Sequence, residues 1–344
     1  MGKYEALTVE LRSREEPEVM LTFDEIDVIV GGLPRSARTY REWWTSRISS
    51  QPHSSGWLNA GRIATVDLEA ATAVFHFQPD EAATRLDSSV RHPAGAKSPS
   101  GVWIADDFRS NLIVDRYDPV FATMRANKLK HLRSENSEDA ATWNAFRSLR
   151  QIGPGEWLPD LWRSAFPEIS IPADTDATVT LWPAISPPAA LRAEADEGDT
   201  EADVVIETAS WVWFIEVKLR SDISTGTTTR PNRDQVLRNI DVGSYYSGVR
   251  PFFFSLLISA PERSRKGVER VAEYQDREKV RGLLSPHRPD GLANLRGVGL
   301  LKWQQLGDTL AAIARSNSRE DERAFARRAA EWLEERRLWV REQG

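Results

Sequence analysis

Residues 211–219, Trp-Val-Trp-Phe-Ile-Glu-Val-Lys-Leu, constrain the fold of this chain more than any other stretch. Its first five residues are all apolar, which predicts a strand covered on both faces in the middle of a sheet. Period-two alternation places Val212, Phe214, Glu216, Lys218 and Arg220 on one face, with Trp211, Trp213, Ile215, Val217 and Leu219 on the other. A carboxylate and an ammonium thus emerge together from a core strand, which is costly unless the charges are paired or bind something. Composition sharpens the point. The chain has only 8 Lys against 37 Arg, and Glu216-Val217-Lys218 is its one acid-x-Lys triplet.

Just upstream, Ala-Asp-Val-Val-Ile-Glu (202–207) reads as a second short strand opening with Asp203. If the two strands form a hairpin, Asp203 stands beside Glu216, and both carboxylates converge with Lys218 on one cleft. Oxygen ligands of this kind suit a hard divalent cation, Mg2+ or Mn2+. A metal held there, with a lysine able to orient or deprotonate water, is the machinery for hydrolysing a phosphodiester. The bland alternative is an ion pair capping a strand end. In the helix before the strands (137–149), Glu138 in the first turn is a candidate third ligand, although Asp139 would serve equally as an acid at a helix N-terminus. In the helix after them, Gln235 can hydrogen-bond a water, a ligand or a phosphate oxygen, with Arg233 and Arg238 near it.

Around these strands the pattern reads as a helix, three strands, a helix and a strand, an αβββαβ order within an α/β (α+β) protein. Two late amphipathic helices follow at 302–316 and 319–338. Gly153-Pro154-Gly155 reads as a turn, and the acidic run 194–203 as a solvated loop. Residues 1–80 form a separate small unit: helices, one opened by a Thr22 to Glu25 capping box, then a hairpin at 63–77, a winged-helix-like order. Residues 81–110 are polar and turn-rich and read as a linker, leaving 111–344 as the second domain. Arg35, Arg38, Arg41 and Arg47 make either a nucleic-acid-facing helix or a solvated face, with Trp43 and Trp44 as core. Arg125, Lys128, Lys130 and Arg133 pose the same choice in the second domain.

Glu138, Asp203, Glu216-Val217-Lys218 and Gln235, in this element order, resemble the PD-(D/E)XK nuclease superfamily of restriction endonucleases, RecB-type nucleases and Holliday-junction resolvases. The resemblance covers about residues 137–260. It implies a restriction-endonuclease-like core and Mg2+-dependent cleavage of DNA, with Asp203 and Glu216 as metal ligands, Lys218 as catalytic lysine, Glu138 as the acid of the first helix and Gln235 as the helix glutamine. RecB-type members carry a tyrosine four residues after that glutamine, where this chain has Asn239. The segment Leu-Pro-Arg-Ser-Ala-Arg-Thr-Tyr-Arg-Glu-Trp-Trp (33–44) is also similar to small uncharacterised bacterial domains with an LPxSA and WW pattern. Beside a nuclease, such a domain suggests restriction or anti-phage defence by analogy.

The expectation is therefore a two-domain, metal-dependent DNA endonuclease. Competing readings are a repair or recombination nuclease acting on structured DNA, and a non-cleaving nucleic-acid-binding module that keeps the nuclease fold. A homodimer would suit cutting both strands. Net charge −6 excludes a globally basic nucleic-acid coat, and the absence of cysteine removes thiolate chemistry and Cys-based metal sites. The five histidines lack metal-ligand spacing, and no phosphate-cradling or dinucleotide fingerprint is present. With no signal-peptide-like start and no apolar run of membrane-spanning length, no membrane partner and a cytoplasmic location are expected.

Overall fold

The computed structural model describes residues 4–14, 16, 18–39, 41–44, 54–58, 60–77, 94–195, 198–226, 233–290 and 292–341. The protein is mixed α/β. Its chain divides into two compact units, Met1–Arg91 with Tyr117–Met124, and His92–Arg116 with Arg125–Gly344.

The first unit runs α1 (Glu5–Arg12), β1 (Glu18–Thr22), α2 (Phe23–Val30), α3 (Arg35–Thr39), α4 (Ser55–Leu58), β2 (Arg62–Asp67) and β3 (Thr72–Phe77). The strands form an antiparallel sheet in the order β1-β3-β2. The capping box at Thr22 is present: the Thr22 side chain accepts from the Glu25 amide and Glu25 accepts from the Thr22 amide. Trp44 and Trp57 are fully buried, and Trp44 stacks on Phe23 at 5.4 Å, so this tryptophan is core. A one-turn helix α5 (Val120–Thr123) groups with this unit.

The second unit begins with the hairpin β4 (Gly95–Lys97) and β5 (Trp103–Ala105), then α6 (Ala126–Leu132), α7 (Glu138–Leu149), α8 (Pro154–Ala165), β6 (Thr178–Leu181), β7 (Ala184–Ile185), α9 (Ala189–Ala195), β8 (Thr200–Glu201), β9 (Val204–Glu207) and β10 (Val212–Lys218). It continues with α10 (Gln235–Ser247), β11 (Phe252–Ile258), α11 (Arg265–Tyr274), α12 (Arg277–Leu284), β12 (Leu295–Lys302), α13 (Trp303–Ser316) and α14 (Glu320–Glu335). Five strands make the central sheet, ordered β12-β11-β10-β9-β6. The β10–β11 and β11–β12 pairs are parallel; β10–β9 and β9–β6 are antiparallel.

Strand β10 is buried along its whole length, and the alternation read from its sequence sorts two cores. Trp211, Trp213, Ile215 and Val217 enter a cluster with side chains of α7, α8, α13 and α14. Val212 and Phe214 enter another with side chains of α10, α11 and α12. The sheet is thus covered by helices on both faces, which is why its middle strand is apolar on both sides up to Glu216.

Three local expectations fail for identifiable reasons. Gly153-Pro154-Gly155 is not a turn: Gly153 is the N-cap of α8 and Pro154 its first helical residue, where a missing amide costs nothing. The turn-rich stretch expected to be linker contributes, from Gly95 onward, the β4–β5 hairpin. Its Ala105 amide bonds Arg133 O at 2.9 Å and its Trp103 amide bonds Glu135 at 2.7 Å, which ties it to the approach to α7. Residues 81–93 of that stretch, like Arg47, lie outside the described residues. The acidic run is not simply a loop, since it holds the end of α9 and the short strand β8, an insertion between β6 and β9.

Candidate active site

The site forms at the carboxyl end of β10. Register brings Val204 opposite Ile215, so Asp203, one residue before β9, faces Glu216 across the antiparallel pair. Asp203 Oδ2 accepts the Val217 amide at 2.8 Å. Lys218 Nζ donates to Glu216 Oε1 at 2.7 Å, to Val217 O at 2.9 Å and, over a longer reach, to Glu138 Oε1 at 3.5 Å. Glu216 and Lys218 are side chains only 3% and 8% exposed, so this is a buried ion pair.

Glu138 arrives because Ser137 caps α7, its Oγ accepting the Ala140 amide at 3.1 Å, and the first turn then overlooks the strand end. Glu138 Oε2 accepts the Leu219 amide at 2.7 Å. The structure thereby separates two neighbours that sequence could not: Glu138 turns to Lys218 and Leu219, while Asp139 pairs with Lys128 at 3.7 Å. Glu138 thus accepts from Lys218 with one oxygen and from the Leu219 amide with the other, which places it beside the lysine and the strand end.

From α10, Gln235 Nε2 donates to Glu216 Oε1 while its Oε1 accepts the Ser224 amide. One turn later Asn239 Nδ2 donates to Glu216 Oε2 at 2.7 Å. In the sequence Asn239 stands out only as a departure from a family pattern, and its signal is the spacing of four residues from Gln235, which puts both on one helix face. The Asn239 Oδ1 is buried and has no hydrogen-bond donor among the described residues.

Electrostatics follow from this crowding. Burial, reinforced by the Glu216 charge, pushes the Asp203 carboxyl well above the usual carboxylate range. Burial likewise raises Glu138, although Lys218 opposes it. Burial works against the charge on Lys218, yet Glu216, Glu138 and Asp203 outweigh it and hold its proton more tightly than usual.

The remaining sequence candidates disperse. Arg233 is 7% exposed and donates to the fully buried Asp241 at 2.6 Å, so its charge serves the fold and not a phosphate. Lys128 bonds Glu201 and lies over the Trp182 ring at 4.3 Å, a spent cation. Arg38 pairs with Asp27 and packs over Phe23, tying α3 to α2. Arg35 and Lys130 are exposed without an ion pair among the described residues, and Arg238 is half-buried with its Nε lacking an acceptor. Arg41 belongs to a short 3-10 turn, its side chain outside the described set.

Among the described residues no three His, Asp or Glu side chains stand as a formed metal centre. No helix there is long and apolar enough to cross a membrane. A family model described as a domain of unknown function (DUF7662) matches residues 4–78, the region of the first unit's helices and sheet. No curated protein and no solved structure matches the chain.

Proposed function

We propose that the second unit is a metal-dependent nuclease that hydrolyses DNA phosphodiesters, with a restriction-endonuclease-like core formed by α7, β6, β9, β10, α10 and β11. The observation that carries this reading is the meeting of Asp203, Glu216, Lys218, Glu138 and Gln235, drawn from four elements, at one strand end. An isolated ion pair needs no such company.

The donor set suits a hard divalent cation such as Mg2+ or Mn2+. Among the described residues Asp203 Oδ1 accepts no hydrogen bond, and the Asn239 Oδ1 beside Glu216 is an acceptor without a donor. Three carboxylates around one ammonium leave negative charge uncompensated. Asp203 and Glu216 would hold the ion, which would stabilise charge on a phosphoryl oxygen and acidify water. Gln235 and Asn239 fix both oxygens of Glu216, so that ligand is set before substrate arrives. The longest bond of Lys218, to Glu138, is the one a water or phosphate oxygen replaces at least cost. Lys218 would then orient the attacking water or the phosphate, and Glu138 would hold the lysine in reserve. The first unit, winged-helix-like in its order of helices and hairpin, would contribute target or partner recognition, in a setting of restriction or anti-phage defence.

The test is plasmid nicking with Mg2+ or Mn2+. Asp203→Asn keeps an acceptor for the Val217 amide and removes one anionic ligand. We expect it to retain the fold and lose at least about a hundredfold in rate, as removal of a transition-state charge stabiliser does. A wild-type protein that cuts neither DNA nor RNA with either metal sinks the reading.

A further inference from the structure

We infer that Arg220, Arg263, Arg265 and Lys266 form the surface that grips the sugar-phosphate backbone of duplex DNA next to the proposed cleavage site. All four are exposed, and among the described residues none is in an ion pair. This inference rests on the reading of Asp203, Glu216 and Lys218 as a phosphodiester site.

The fold gathers them from two segments. Strands β10 and β11 are parallel, so both end at the same edge, with Lys218 in register with Ile258. Beyond that edge the chain after Lys218 (219–222) meets the chain after Ile258 (259–267). Ser259 Oγ donates to Leu219 O, and Ser264 Oγ donates to Ser221 O at 3.4 Å. Asp222 accepts the Lys266 and Gly267 amides at 2.9 and 3.0 Å, closing the start of α11 onto the loop. Arg220 and the Arg263 to Lys266 turn are therefore clamped side by side, two residues beyond Lys218.

The acids near them do not cancel this charge. Asp222, Glu262 and Glu269 set three negative charges against the four cations, and Asp222 is turned to backbone amides. A lysine and arginine cluster that forms no ion pair among the described residues is the footprint of a polyanion. Lys302, in register with Ile258 on the next parallel strand, extends the positive row. Of the basic residues singled out in the sequence, Arg233, Lys128 and Arg38 are consumed by ion pairs. Duplex DNA is the occupant that joins the row to the carboxylates, since a backbone bound along it presents a phosphodiester at Lys218.

The experiment measures binding of full-length protein to a fluorescein-labelled DNA duplex by anisotropy, in EDTA so that no strand is cut, across about 50 to 200 mM salt. Compared with wild type, the combined Arg220→Ala, Arg263→Ala, Arg265→Ala, Lys266→Ala variant should lower the slope of log affinity on log salt by about 3 to 4. Affinity at the low-salt end should fall at least about tenfold. Arg315→Ala with Arg327→Ala, equally exposed on α13 and α14, should change neither. Circular dichroism establishes that the exposed substitutions leave the fold intact. An unchanged slope in the quadruple variant, or no binding by wild type, overturns the inference, and tighter binding of duplex RNA overturns the assignment to DNA. Cleavage is not read here: a protein that binds through these four residues yet never cuts loses the nuclease reading and keeps this one.

Discussion

Replacing Lys218 by Met removes the only cation bonded to Glu216 among the described residues while keeping side-chain length and volume. The carboxylate left behind is 3% exposed, with Asp203 opposite and Glu138 nearby. Breaking one side of a buried ion pair costs about 3 to 5 kcal/mol. The lower end applies, about 3 kcal/mol, because Gln235 and Asn239 still donate to Glu216. In urea this is a midpoint drop of about 1 to 1.5 M at an m-value of about 2 to 3 kcal/mol/M.

The pH dependence carries the sign. Wild-type Lys218 has its pKa raised by folding, so its stabilisation is complete below the unfolded value of about 10.4 and flat from pH 5 to 8. Asp203 also has its pKa raised, which for an acid means that the folded state binds the extra proton. Its effect is a loss of stability as pH rises from the unfolded value of about 3.9 through the folded one. Without the lysine, whose charge opposes both shifts, Asp203 and Glu138 move further in that direction. The deficit of Lys218→Met should therefore shrink between pH 7 and pH 5, by about 1.4 kcal/mol per pH unit for each extra proton held by the folded variant. Added Mg2+ at pH 7 should offset part of it if Asp203 and Glu216 take the ion. Urea titrations followed by circular dichroism at both pH values decide the matter. A variant as stable as wild type at pH 7, with no gain on acidification, would refute the buried-pair argument.

Asn239→Leu should cost about 1 to 3 kcal/mol, by leaving Glu216 Oε2 without its donor, and should weaken Mg2+ binding measured by calorimetry. Gly243→Ala in α10 would drive a methyl group into the Phe252 ring and to within 2.9 Å of Phe214; a loss of about 1 to 3 kcal/mol in thermal unfolding is expected, against a gain for glycine to alanine in an open helix. In the first unit, Thr22→Ala removes the acceptor for the Glu25 amide and should lower stability by about 1 kcal/mol, read by urea titration.

Period-two alternation in β10 was legible residue by residue, because which face a side chain takes in a strand depends only on backbone pleat. The Thr22 capping box and the Ser137 cap were legible for the same reason, being closed within four residues. The sequence also pointed to the pairing of Asp203 with Glu216, separated by one tight connection. The fifth strand β12 escaped notice: Leu-Arg-Gly-Val-Gly-Leu-Leu-Lys has two glycines, which lower strand propensity. They are tolerated because α8 presses onto that strand, where a Cβ at Gly299 would meet Phe166.

What tertiary structure decided was the use of each charge. Sequence could name Glu138 or Asp139, but only the approach of α7 to the β10 end, across 80 residues of chain, gave one to Lys218 and the other to Lys128. It likewise consumed Arg233 in a buried pair with Asp241, brought Asn239 to Glu216, and set Arg220 beside the Arg263 to Lys266 turn. Local periodicity fixes the face on which a group stands. Whether its charge is spent or free depends on which distant segment packs against it, and no sequence window contains both partners.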